Sequence, residues 1–327
     1  MSKIRVGVLR GGPSSEHEVS LKTGENILNS LPEKYLGIDL FLDKNNQWHF
    51  GGTPINPHQL KDLVDVVFLA LHGKFGEDGE VQNLLETHRV PYTGSGVIAS
   101  RVAMNKILSR EFFKMANLKI PQATVVKNSE PLDEAVHRIF RTIRPFWVVK
   151  PVSGGSSIGV TIVKDFRGLI PALKYAFKYD DKALVEEYIS GKEVTCGILE
   201  NFRGEKHYAL PVIEIIPPPK KEFFDYECKY DGSSQEICPA NLEPEVKREI
   251  EKTARLAHQI LGCKSYSRTD MIVSSNHVKS GTVDIYLLEV NTLPGLTSES
   301  LVPKAANAIG LSFSELLEHI IELALRR

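Results

Sequence analysis

Residues Asp284 to Pro303 read D-I-Y-L-L-E-V-N-T-L-P-G-L-T-S-E-S-L-V-P, and the fold and the chemistry both turn on how this segment is placed. The apolar run Ile285 to Val290 is short enough for a strand, and a period of two puts Glu289 and Asn291 on one face. Upstream, Ser267 to Ser274 (S-R-T-D-M-I-V-S) is a second strand-like run, with turn chemistry at Asn276, Lys279, Ser280 and Gly281 between the two. A turn centred near Lys279 and Ser280 sets Asp270 opposite Glu289 in an antiparallel register. Three oxygen-bearing side chains then converge on one side of a hairpin.

Carboxylates and a carboxamide oxygen are hard ligands that suit Mg2+, whose other positions are commonly filled by water and phosphate oxygens. A nucleotide completes such a site. Taken alone, the Asp270–Glu289 pair also fits a solvated hairpin face with scattered acceptors. The loop Asn291 to Thr297 carries Pro294 and then Gly295, which leaves backbone N–H groups near Gly295 open to a ligand. Ser298 to Val302 then opens a helix, and a helix N-terminus favours an anion.

A chain of 327 residues is long for one core and suits two or three domains. Lys plus Arg (40) nearly equals Asp plus Glu (41), which leaves no global basic field of the kind nucleic-acid binding uses. Cys196, Cys228, Cys238 and Cys263 form no C-x-x-C pair, against both a zinc ribbon and a secreted disulfide framework. The N-terminal apolar run is broken by Arg5 and Arg10, too short and too charged for a signal peptide, and no 18-residue apolar span follows. A soluble, cytoplasmic protein is expected.

Taken from its start, the chain opens with a strand, Ile4 to Leu9, then Arg10-Gly11-Gly12-Pro13-Ser14-Ser15, then a helical pattern over Glu16 to Leu31. Strand, glycine loop and helix open an α/β unit. Glu16, His17 and Glu18 in the first turn complement the helix dipole; they would repel phosphate but suit an ammonium group. Leu36 to Leu42 and Val64 to Leu71 are further strands, the second ending in H-G-K-F-G-E-D-G, His72 to Gly79, before a helix over Glu80 to Thr87. Open parallel sheets bind ligands beyond the carboxyl ends of strands, where this loop falls.

Gly94, Gly96 and Ala99 fit the G-x-G-x-x-G/A dinucleotide fingerprint. The preceding run is only Val90 to Thr93, however, and no acidic residue closes a second strand about 20 residues on. The segment reads instead as a hinge ahead of a helix, Val97 to Ala116, that carries Lys106. Pro121 to Val126 and Phe146 to Lys150 are strands flanking a helix, Pro131 to Ile143. The loop K-P-V-S-G-G-S-S-I-G-V, Lys150 to Val160, can fold over phosphates through backbone N–H groups and hydroxyls while Lys150 supplies a point charge; a flexible hairpin fits equally.

Leu184 to Ile189 is a strand whose alternation puts Glu186 and Tyr188 on one face and Glu187 on the other. Pro217 to Pro239 has no clear periodicity but carries Phe223, Phe224, Tyr226 and Tyr230, and it reads as a lid that excludes water. Glu243 to Leu261 and Ser312 to Leu325 are amphipathic helices.

The motifs E-V-N-T-L-P-G-L-T-S-E-S-L-V-P, R-T-D-M, G-G-x-S-x-E-x-E-V-S, L-H-G-x-x-G-E-D-G, G-S-S-x-G and D-Y-x-x-K-Y occur in this chain. By them it resembles the ATP-grasp superfamily and, within it, the D-alanine:D-alanine ligases. The resemblance implies an α/β fold, α+β in its C-terminal part, with the three-domain ATP-grasp architecture. Residues 1–95 would form an N-terminal parallel α/β sheet domain for the first substrate, 96–183 a central ATP-grasp subdomain, and 184–327 a C-terminal ATP-grasp domain with the metal site and a lid over 217–239.

The same resemblance implies ligation of two D-alanines with ATP through an acyl phosphate, for peptidoglycan precursor synthesis, with two Mg2+ ions that Mn2+ can replace. Glu16 would receive the first ammonium group, Ser156 and Tyr230 would complete a network with it, and His72 would neighbour the first carboxylate. Lys106, Lys150, Ser157 and Lys229 would serve the phosphates, and Glu186, Glu187, Tyr188, Ile189 and Glu193 the adenine and ribose; Tyr188 stands where relatives often carry tryptophan. Asp270, Glu289 and Asn291 would hold the metal ions, Arg268 and the Gly295 N–H the oxyanion, and Ser300 and Leu301 the second carboxylate. Small-molecule substrates, no nucleic acid, no membrane and a homodimer complete the expectation. A related ligase making D-alanyl-D-lactate or another dipeptide stays open, as do a nicotinamide oxidoreductase built on Gly94 to Ala99 and a non-catalytic nucleotide-binding module.

Overall fold

The computed structural model of the chain describes residues 3–155, 157–218, 234–274 and 283–326. Its first part forms β1 (Ile4–Gly11), α1 (His17–Ser30), β2 (Tyr35–Leu42), β3 (Trp48–Phe50), β4 (Thr53–Ile55), α2 (Leu60–Leu63), β5 (Val66–Leu69) and α3 (Glu80–Thr87). The sheet order is β4-β3-β2-β1-β5, with β1 parallel to β2 and β5. The parallel sheet expected from the sequence is mixed, because β3 folds back antiparallel on β2 through the turn Asp43 to Gln47, and β4 folds back on β3 through Gly51 and Gly52, both at positive φ. Since β1 and β5 are parallel neighbours, the loops that follow them leave the same carboxyl edge.

Two helices, α4 (Val97–Met104) and α5 (Lys106–Met115), replace the single one expected over Val97 to Ala116. Asn105 between them is extended, and its side chain accepts from the N–H of Ile107 and Leu108 at 3.0 and 3.1 Å. The break starts α5 at Lys106 and turns it against the loop that begins at Val152, whose carbonyl accepts from the Lys106 N–H.

The middle of the chain continues with β6 (Ala123–Lys127), α6 (Leu132–Thr142), β7 (Trp147–Pro151), β8 (Thr161–Val163), α7 (Leu169–Ala176) and β9 (Lys182–Glu187). These strands make an antiparallel sheet, β6-β9-β7-β8, whose inner face packs Trp147, Val149 and Val185 against Ile139 and Leu173 of α6 and α7. Next come β10 (Gly191–Phe202), β11 (Glu205–Ala209), β12 (Ile213–Ile216), β13 (Gln235–Ile237), α8 (Pro244–Ile260), β14 (Tyr266–Ser274) and β15 (Ile285–Asn291). They form the sheet β13-β12-β10-β14-β15, with β11 paired to β10 and the apolar stripe Val246, Ile250, Ala254 and Ala257 of α8 buried against it.

The chain then closes with α9 (Leu301–Asn307) and α10 (Phe313–Leu325). Leu316, Leu317, Ile320 and Ile321 recur at helical spacing and enter one core with Val66, Val67 and Phe68 of the first sheet. Each such burial contributes roughly 1.5–3 kcal/mol, so the last helix binds the two ends of the chain together, and a charge at Ile320 would release it.

Asp270 does lie opposite Glu289, and Arg268 opposite Asn291. The register is not constant beyond them: it shifts between Asp270 and Met271, which faces Leu287, and Leu288 is the extra residue of a bulge. Leu288 and Glu289 consequently both face the site, while Leu287 and Val290 enter the core behind.

Candidate active site

The hairpin β14–β15 is the floor. The Asp270 carboxylate accepts from Arg268 Nε at 2.9 Å and Nη2 at 2.8 Å, and from the Thr195 hydroxyl at 2.7 Å. Thr195 sits directly across from it on β10. Glu289 Oε2 lies 3.7 Å from Lys106 Nζ, and Asn291 Oδ1 accepts from the Leu293 N–H at 2.8 Å, which turns the chain out of β15.

Two cavities open over this floor and share a wall. The wider, about 620 Å³, is lined by Glu16, His72, Arg268, Asn291, Gly295, Ser300 and Leu301 among others. The narrower, about 140 Å³, is lined by Lys150, Ser157, Glu186, Glu187, Tyr188, Ile189, Glu193 and Asp270, with apolar walls from Val148, Ile162, Ile272 and Leu288. Lys106, Gly154, Gly155 and Glu289 border both. Lys106 Nζ donates to the Gly154 carbonyl at 2.6 Å, which ties the glycine loop to that wall.

In the wider cavity, Glu16 precedes α1, and its N–H donates to the Ser14 hydroxyl, which itself donates to the His72 carbonyl at 2.7 Å. The His72 ring lies between the Thr23 hydroxyl, 2.9 Å from Nε2, and Glu77, 3.8 Å from Nδ1. A β-carbon on Gly155 would come 3.8 Å from Glu16 Oε2, so the glycine loop comes down beside that carboxylate. On the opposite side, Ser300 caps α9, and its hydroxyl accepts from the Thr297 N–H at 3.0 Å. A β-carbon on Gly295 would come 2.8 Å from that hydroxyl, so only glycine fits without displacing it. Asn26 of α1 donates to the Leu296 carbonyl at 2.9 Å, joining the two sides. Burial works against the Lys304 charge, but Glu236 and Glu299 more than offset it and hold its pKa above the ordinary lysine value.

In the narrower cavity, Glu186 is buried with both oxygens engaged, one 2.6 Å from Arg110 Nη1 and the other 2.6 Å from Lys150 Nζ. Arg110 also donates to the Pro121 carbonyl. Glu187 exchanges hydrogen bonds with Gln122, side chain to N–H and N–H to carbonyl. Asp180 accepts from the N–H of Ser153 and Lys182, at 2.8 and 3.0 Å, and tethers the start of the glycine loop.

Arg110, Thr195 and Asp180 were not among the residues expected from the sequence. Arg110 had a signal, since it lies four residues after Lys106 on the same face of α5. Thr195 and Asp180 had none outside the tertiary structure. Ser156, Lys229 and Tyr230, with most of the expected lid, lie outside the described residues.

The dinucleotide-like glycines have another explanation. Gly94 has φ +89°, and a β-carbon there would come 2.6 Å from Leu293 Cδ2. Its glycine is required by the close approach of the hinge to the loop after β15. Gly96 precedes α4, and Ala99 is buried within it.

Residues 112–322 match the family model of the D-ala D-ala ligase C-terminus, and residues 5–58 and 51–95 match that of the D-ala D-ala ligase N-terminus. A D-alanine–D-alanine ligase of Syntrophobacter fumaroxidans is 45% identical over 99% of this chain and 98% of its own length. One of Citrifermentans bemidjiense is 43% identical over 99% and 97%. Among solved structures, a D-Ala:D-Ser ligase from Enterococcus faecalis superposes with a TM-score of 0.85 at 30% identity, over 98% of this chain and 99% of that one. A D-alanine–D-alanine ligase from Bacillus anthracis complexed with ATP gives 0.77 at 35% identity, over 99% and 98%.

Proposed function

The chain belongs to the D-ala D-ala ligase family, and from that premise we propose that it joins two D-alanine molecules into D-alanyl-D-alanine with ATP, for peptidoglycan precursor synthesis. The observation that carries this reading is the wall shared by the two cavities. A wide chamber with charged walls and a narrow apolar slot meet at Lys106 and Glu289, so a phosphoryl group can pass from a nucleotide in one to a carboxylate in the other.

The first D-alanine places its ammonium group at Glu16 and its carboxylate toward His72. By the family resemblance, Ser156 and Tyr230 would complete the network around Glu16. Adenine fills the slot between Val148, Ile162, Ile272 and Leu288, with its polar edge at Glu186 to Ile189 and the ribose at Glu193. Lys106, Lys150 and Ser157 serve the phosphates, as Lys229 would by the family resemblance.

The donor set Asp270, Glu289 and Asn291 fits Mg2+. It consists of hard oxygens, and Asp270 and Glu289 are opposed across the hairpin. Bound there as one or two ions, the metal supplies counter-charge to the phosphate oxygens.

Transfer of the γ-phosphoryl group to the first carboxylate yields an acyl phosphate and ADP. The second D-alanine, its carboxylate at Ser300 and Leu301, attacks the acyl carbon with its amine. Arg268 and the Gly295 N–H receive the tetrahedral oxyanion. The C–O bond to phosphate then breaks, the nitrogen gives up its proton, and dipeptide and phosphate remain. The homodimer and the cytoplasmic location implied by the resemblance belong to this reading, and light scattering tests the first.

The deciding experiment is phosphate release with ATP and Mg2+, comparing D-alanine, L-alanine, and D-alanine with D-lactate or D-serine, products being identified by mass. One phosphate per D-alanyl-D-alanine, dependent on D-alanine, is expected. Release that needs no D-alanine would keep the nucleotide site and refute the substrate, and a mixed product would reassign the second subsite.

A further inference from the structure

Glu200, His207 and His258 bring three metal-ligating side chains together in a place that lines neither cavity. Glu200 on β10 is paired with His207 on β11, and α8 packs over both strands and lowers His258 onto them. Glu200 Oε1 lies 4.0 Å from His207 Nε2 and 3.9 Å from His258 Nε2, and the three donor atoms all fall within 4.8 Å of one another. We propose that these residues form a binding site for a divalent d-block cation, with Zn2+ the best fit, which clamps α8 to the β10–β11 pair.

The orientation of each group supports the assignment. His258 is fully buried; its Nδ1 lies 2.7 Å from the Ser267 hydroxyl, and its Nε2 has no hydrogen-bond partner. Donation from Nδ1–H to Ser267 leaves the Nε2 lone pair aimed into the cluster, the arrangement by which proteins orient a metal-bound imidazole. A proton on Nε2 would find Glu200 at 3.9 Å, too far for a hydrogen bond. The other oxygen of Glu200 accepts from the Ser265 N–H at 2.7 Å, which fixes the carboxylate with Oε1 toward both imidazoles.

Two imidazole nitrogens and one carboxylate oxygen suit Zn2+ and its neighbours rather than Mg2+ or Ca2+. Ligands at about 2.0–2.2 Å from a metal lie roughly 3.0–3.5 Å from each other, so the donor separations must contract by roughly 0.5–1.5 Å. Part-exposed His207 can supply that movement, and the half-exposed Lys264, 3.6 Å from Glu200 Oε1, can swing out to admit a water as fourth ligand.

The test uses untagged, chelator-stripped protein. Zn2+ uptake is measured by equilibrium dialysis with metal analysis and by competition with a chromophoric chelator, for wild type, His207→Ala and His258→Gln. The expected result is one Zn2+ per chain, weakened more than about tenfold in both variants, with wild-type far-UV circular dichroism and unchanged Mg2+-supported turnover in His207→Ala. Co2+ in place of Zn2+ should give d–d bands in wild type that His207→Ala abolishes. Equal Zn2+ affinity in wild type and His207→Ala, or no uptake by wild type at micromolar free Zn2+, would overturn the proposal.

Discussion

The two cavities are built by different means. The wider takes its polar groups from segments far apart in the chain: Glu16 ahead of α1, His72 after β5, Arg268 on β14 and Ser300 ahead of α9. The narrower takes its shape from strand faces, Val148 and Ile162 of one sheet against Ile272 and Leu288 of another. Strand alternation makes a flat apolar slot, whereas converging loops set charges at chosen points around a polar space. Damage to the slot should therefore change affinity, damage to the chamber should change rate, and damage to the shared wall should change both.

The largest effect should follow from the wall. Glu289→Ala removes a metal ligand and the carboxylate facing Lys106, and turnover should fall by about a thousandfold or more while the protein stays folded. Wild-type-like turnover in that variant would break the division altogether. Arg268→Ala should lower kcat by roughly 100- to 1000-fold with little change in KM for ATP, as loss of an oxyanion donor does. A rise in KM for ATP at constant kcat would instead assign Arg268 to the nucleotide side, acting through its pairing with Asp270.

Glu186 sharpens the comparison through stability. Both of its oxygens are engaged by buried cations, so Glu186→Ala leaves Arg110 and Lys150 without a counter-charge. Removing one partner of such a buried network typically costs about 3–5 kcal/mol, measurable by urea unfolding. An unchanged unfolding midpoint with weakened ATP binding would make Glu186 a direct nucleotide ligand instead.

The opposition of Asp270 and Glu289 was legible in the sequence because two apolar runs and a turn fix a hairpin register. The bulge at Leu288 was not, since an extra residue inside an apolar run leaves the pattern unbroken. The sequence marks Lys106, but its helical pattern runs on through Asn105, although a capping side chain stands there. At Gly94 spacing alone would mislead, since a glycine placed as if for a phosphate lets Leu293 approach. Strands of three residues, such as β3, β4 and β13, are too short to display a period. That α10 completes the first core depends on a packing choice which no local pattern records.

The smallest effect should come from Asp180, which touches neither apolar wall yet holds the N–H of Ser153 and Lys182. Burial opposes its charge, but these two N–H groups outweigh it and hold its carboxyl below the ordinary aspartate value. Asp180→Ala should loosen the glycine loop by about 1 kcal/mol and raise KM for ATP roughly fivefold, with kcat nearly kept. The sign of the pH dependence follows from the lowered pKa. The tether is present in full above the unfolded value, about 3.9, and is lost as pH falls below it toward the folded value. Wild type and Asp180→Ala should therefore differ in stability at neutral pH and converge as the solution is acidified through that range. A constant gap down to pH 2 would mean that the side chain acts by packing, and the loop would then be held by the Val152 N–H bond to the Lys182 carbonyl together with the Lys106 bonds to the Val152 and Gly154 carbonyls.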